Sequence, residues 1–126
     1  MSNTAVANPT LHHVTLKTTR PEEMLAWYGN LIGMKPNHNG PFGAWLTNDD
    51  ANHRVALLLA PGLEDDPNKL AHTGMHHMAF EYPDLGGLLL TYERLKNHGV
   101  KPHACLDHGM TTSLYYVDPE IGRAHV

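Results

Sequence analysis

The sequence predicts an α+β fold built from two successive halves, each ordered strand, helix, strand, strand, strand. Three observations carry this expectation. The pattern Leu11-His12-His13-Val14-Thr15-Leu16 returns as Met75-His76-His77-Met78-Ala79-Phe80, a histidine pair followed by an alternating run each time. Gly33-Met34-Lys35-Pro36 and Gly99-Val100-Lys101-Pro102 nearly match and follow the two histidine pairs at similar distances, which favours duplication over coincidence. Between pair and glycine, each half carries apolar residues at helical spacing.

The elements follow in order. Leu11–Thr18 alternates as a strand. Pro21 suits a first helical turn, with Glu22 and Glu23 near its positive end. Met24, Leu25, Tyr28, Leu31 and Ile32 form the expected buried stripe, and Gly33 stops the helix. Met34–His38, Ala44–Thr47 and His53–Ala60 are the next strands, separated by turn-forming clusters. Pro61–Thr73 reads as a linker between modules at about 9–60 and 74–126. His76–Tyr82 is a strand. Asp84 caps a second helix whose expected stripe is Leu85, Leu88, Leu89, Tyr92 and Leu95, ended by Gly99. Strands near Lys101–Leu106, Thr112–Val117 and the C-terminus complete the second set.

A chain of 126 residues, 41% hydrophobic and 17% charged, is expected to form one domain. A net charge of −4 with no basic patch argues against nucleic acid. No apolar run approaches the roughly 20 residues that span a bilayer. Met1–Thr10 has no signal-peptide character, and the single Cys105 excludes an intrachain disulfide, so the cytoplasm is expected. The chain holds 11 histidines, an excess that makes their positions the informative feature.

A histidine that opens a strand in each half suggests one metal held between the halves, since imidazole ligates iron, manganese and zinc well. Side chains alternate across a strand. His13, Thr15 and Lys17 therefore share a polar face turned to a cavity, while Val14 and Leu16 turn to the helices. The same parity selects His77 with Ala79, opposite Met78, Phe80 and Tyr82. His13 and His77 are the expected ligands; His12 and His76 are their neighbours. The bland alternative is a set of buried histidines with satisfied hydrogen bonds. His53, at the start of a strand, and His108-Gly109, just before another, extend the set. Ser113, Tyr115 and Val117 share one strand face opposite Leu114 and Tyr116. Taken singly, His53 reads equally as a turn residue, His108 as a loop residue and Tyr115 as a core aromatic.

Together these residues resemble the vicinal-oxygen-chelate superfamily of glyoxalases, bleomycin-resistance proteins and dioxygenases. The resemblance runs from about Leu11 to the C-terminus and is strongest to type I extradiol ring-cleavage dioxygenases. It implies two tandem βαβββ modules forming a curled mixed sheet around one metal or ligand cavity. It also implies metal ligation by His13 and His77, with His53 as acid–base group and Tyr115 and His108 orienting substrate. Tyr115 stands before Asp118-Pro119 as the active-site tyrosine of that branch does. The implied cofactor is Fe(II), with Mn(II) or another divalent metal as alternatives. The implied partners are a small aromatic diol and O2, and a homo-oligomer is compatible.

The pattern departs at the end of the chain, where His125 occupies the position of the family's ligand glutamate and becomes the third expected metal ligand. Ile121–Val126 can be back-translated into a common sequencing adapter, so a truncated C-terminus with a non-native tail is expected. The implied function is metal-dependent extradiol cleavage of a catechol-type diol, with activity sensitive to the missing glutamate. The alternative is a non-catalytic small-molecule binding protein of the bleomycin-resistance kind, which sequesters a ligand in the same cavity.

Overall fold

The structure, a computed structural model, describes residues 5–107 and 112–119, together with the backbone of 124–125. His108 lies outside the described residues. The class is α+β, as expected. The first half comprises β1 (Val14–Lys17), α1 (Pro21–Ile32), β2 (Lys35–Gly40), β3 (Gly43–Thr47) and β4 (Val55–Leu58). The second comprises β5 (Met78–Ala79), α2 (Leu85–Asn97), β6 (Ala104–Asp107), β7 (Thr112–Tyr116) and β8 (Ala124–His125). The strands form two four-stranded mixed sheets, ordered β1-β4-β3-β2 and β5-β8-β7-β6. In each, the first strand pairs parallel with the last and the others pair antiparallel. No helix among the described residues is long and apolar enough to cross a membrane.

The helices follow their sequence signals. Pro21 begins α1, and Gly33 ends it at φ 70°, where the Gly33 N–H donates to the Gly29 carbonyl and the Met34 N–H to that of Tyr28. The Asp84 side chain accepts from the Gly87 N–H and so fixes the start of α2. Gly43 has φ 142°, and a Cβ there would stand 1.8 Å from the Leu57 carbonyl oxygen, so the close approach of β3 to β4 requires glycine.

Leu16, Met24, Tyr28, Met34, Ala44, Leu46, Val55 and Leu57 form one core cluster between α1 and the first sheet. Leu31, Leu88, Leu95, Leu114 and Tyr116 form a second, and Trp27, Ile32 and Phe80 pack against both. The expected α1 stripe is the buried one. That of α2 is rotated: Leu88, Thr91 and Leu95 are buried, whereas Leu85 and Leu89 are exposed. Thr91 reaches the buried face because its hydroxyl lies 2.7 Å from Tyr82 Oη and 3.0 Å from the Gly87 carbonyl, so its single proton always has an acceptor. An apolar-only reading of periodicity cannot see a threonine satisfied in this way.

Candidate metal and substrate site

The site begins with strand pairing. β1 and β4 run parallel with Val14 opposite Val55, and the Val14 N–H donates to the Arg54 carbonyl at 3.0 Å. The segments leading into the two strands are therefore side by side, and they carry His12-His13 and His53. The His13 and His53 ring centroids are 4.2 Å apart, and those of His12 and His53 5.6 Å. One donor atom from each of the three histidines lies within 4.8 Å of the others. The Nδ1 atoms of His12 and His13 are 2.8 Å apart, one ring donating and the other accepting. His12 thus joins the cluster, although strand parity set it aside. Regular strand geometry starts only at Val14, so alternation does not separate the two histidines before it.

Two further contacts support this cluster. Arg54 donates from Nε to Asp49 Oδ2 at 2.9 Å and from Nη1 to the His12 carbonyl at 2.8 Å, clamping the His12 segment to the start of β4. The Ala51 N–H and the Arg54 guanidinium hold Asp49 below the usual carboxylate range. His53 Nδ1 lies 2.9 Å from Asn52 Oδ1; donation to that oxygen leaves Nε2 with its lone pair. Trp45 stacks on His53 at 5.4 Å between centroids, and His38 lies against Trp45 at 4.9 Å. Partial desolvation, with the nearby His13 and His12, pulls the His53 pKa below its ordinary value. Sequence reasoning missed the Arg54–Asp49 clamp and the Trp45 stack; alternation in Gly43–Thr47 already set Trp45 opposite the buried Ala44 and Leu46.

The second half echoes the first. The Nδ1 atoms of His76 and His77 are also 2.8 Å apart. The half-buried rings of His77 and Tyr115 meet edge-on at 6.0 Å. His125 is in backbone register with Ala79 on one side and Tyr115 on the other. A cleft of 480 Å³ lies between the halves, with His12, His13, Arg54, Met75, His77 and Phe80 in its lining. The structure thus brings His13 and His53 into contact, sets His77 beside Tyr115, and gives His13 and His77 a common cleft. The imidazole set is chemically suited to a divalent transition metal.

The sequence profile described as the Glyoxalase/Bleomycin resistance protein/Dioxygenase superfamily matches residues 10–121. The chain is 43% identical over 114 residues to biphenyl-2,3-diol 1,2-dioxygenase 2 of Rhodococcus globerulus, covering 90% of this chain and 60% of the relative. It is 38% identical over 112 residues to biphenyl-2,3-diol 1,2-dioxygenase 3 of the same organism, covering 89% and 59%. The chain therefore spans about 60% of the length of these curated relatives. The crystal structure of a glyoxalase/dioxygenase from Nostoc punctiforme superposes with a TM-score of 0.74 at 18% identity, covering 98% of this chain and 96% of that one.

Proposed function

The chain belongs to the Glyoxalase/Bleomycin resistance protein/Dioxygenase superfamily, and we propose that within it this protein performs metal-dependent extradiol cleavage of a catechol-type diol with O2. The placement of His13 and His77 in one cleft, with the His53 ring against that of His13, carries the reading. The dioxygenase names of relatives at 38% and 43% identity point the same way.

In this proposal His13 and His77 hold Fe(II), with Mn(II) as the alternative, and His125 supplies the third donor. When bound, such a metal supplies the positions at which both diol oxygens and O2 meet. His53 takes a proton from a diol hydroxyl at Nε2, while the Asn52 contact and the Trp45 stack hold its ring plane. Tyr115 holds a diol oxygen by hydrogen bonding, next to His77. His108 is proposed for the same orienting task on the strength of sequence alone. Phe80 and Met75 give the cleft an apolar wall suited to an aromatic ring.

The test is anaerobic loading with Fe(II), then addition of biphenyl-2,3-diol and air, following O2 uptake and the yellow ring-opened product. Turnover in the wild type, with most iron lost in His13→Ala and His77→Ala and little in His76→Ala, is the expected outcome. Tight diol binding by metal-free protein without O2 uptake would support the non-catalytic binding reading instead.

A further inference from the structure

We infer that His12, His13 and His53 form a three-imidazole site for a borderline divalent cation such as Zn(II), built by the first half of the chain alone. One donor from each ring already lies within 4.8 Å of the other two. Donors on a tetrahedral zinc at about 2.0–2.1 Å stand roughly 3.3 Å apart, so the rings close inward by about an ångström. His12 and His13 are exposed and His53 is partly so, which leaves room for that rotation. The backbone beneath is fixed by Val14–Val55 register, by the Val14 N–H to Arg54 carbonyl bond, and by Arg54 on the His12 carbonyl. Binding therefore orders side-chain torsions and not a loop, which keeps its entropic cost low. Asp49 offsets the nearby Arg54 charge at 2.9 Å.

The donors select the ion. Three neutral imidazoles suit Zn(II), Co(II), Ni(II) and Cu(II), whereas Mg(II) and Ca(II) prefer oxygen. The Asn52 contact at His53 Nδ1 leaves Nε2 as the coordinating atom and orients the ring, as partners of metal-bound histidines do. The site shares His13 with the arrangement between the halves and takes His53 out of proton exchange. Zn(II) held here therefore inhibits turnover; that consequence rests on the ring-cleavage reading, while the triad itself does not.

Co(II), whose visible bands report imidazole coordination, is the probe. It is titrated into the purified His77→Ala chain and into the same chain carrying His12→Ala as well. The triad requires saturable Co(II) binding in His77→Ala, displaced by Zn(II), and at least about tenfold weaker binding once His12 is also removed. Absence of Co(II) binding in His77→Ala, or binding indifferent to His12, overturns it. Far-UV circular dichroism checks folding, and His12→Gln replaces His12→Ala should the double variant unfold. The ring-cleavage reading stands or falls on O2 uptake by the iron-loaded wild type, which leaves this cobalt ranking untouched.

Discussion

At the scale of single residues, two buried tyrosines have opposite energetics. Tyr28 Oη donates to the buried Asp118 Oδ2 at 2.7 Å, joining α1 to the segment after β7. Burial and the Asp118 carboxylate push the Tyr28 hydroxyl pKa far up, so it remains a donor. Tyr28→Phe leaves a buried carboxylate short of a partner and should cost about 1.5–3 kcal/mol in urea unfolding. Tyr116 Oη is buried without a hydrogen-bond partner among the described residues, and burial pushes its pKa up to about 12. Tyr116→Phe should be neutral or stabilising by up to about 1 kcal/mol, because the lost hydroxyl was desolvated without compensation. A large destabilisation by Tyr116→Phe would reveal a partner at that hydroxyl. In the site, His53→Ala should lower turnover of the iron-loaded chain by about 10²–10⁴ while iron content holds. Parallel loss of iron would make His53 an iron ligand and reverse its assigned role.

At the scale of elements, α2 shows how tertiary packing turns a helix about its axis. Leu88 is 6% exposed and Leu90 73%. Leu88→Ala should therefore cost about 2–5 kcal/mol, and Leu90→Ala should stay within about 0.5 kcal/mol. Equal effects on the unfolding midpoint would mean that α2 sits in another rotation. The hairpin of β3 with β2 and its pairing to β4 depend on Gly43. Gly43→Ala drives a methyl against the Leu57 carbonyl, and β3 must lift from β4. A loss of about 2 kcal/mol or more is expected, read by thermal unfolding. Metal affinity should fall with it, since Trp45 of the displaced β3 stacks on His53.

At the scale of the whole molecule, the halves meet where α1 ends. Arg94 of α2 donates to the Leu31 carbonyl at 3.0 Å and to that of Asn30, and Tyr82 Oη reaches the Leu31 carbonyl at 3.2 Å. These bonds satisfy carbonyls that the end of a helix leaves open and place a cation where the helix dipole favours it. They also keep β1 and β5 on either side of the cleft. The β8 backbone sets His125 in register with Ala79 on one neighbouring strand and Tyr115 on the other. Within the proposed function, His125→Glu adds a carboxylate to the metal set, and both iron content and diol turnover should rise. Lower iron and slower turnover in that variant would show that a three-histidine set is the functional one.

The duplicated histidine pairs, the glycine stops, the Pro21 and Asp84 helix starts and the α1 stripe were all legible in the chain. Each is a local signal, carried by backbone geometry or periodicity over a few residues. Sequence also singled out His13, His53, His77 and Tyr115, because repeat position and resemblance need no coordinates. Parity set His12 aside, yet its ring gathers with those of His13 and His53, since alternation holds only inside a strand and β1 begins at Val14. The α2 rotation, the Arg54–Asp49 clamp and the Trp45 stack were decided by tertiary structure. Each joins residues whose approach depends on parallel β1–β4 pairing, helix docking or a turn between strands. The sequence by itself determined which imidazoles exist and which backbone segments present them. Only the packing of those segments decided that three imidazoles just ahead of β1 and β4 gather within reach of one ion, because a parallel pairing across a helix and two strands is a long-range contact.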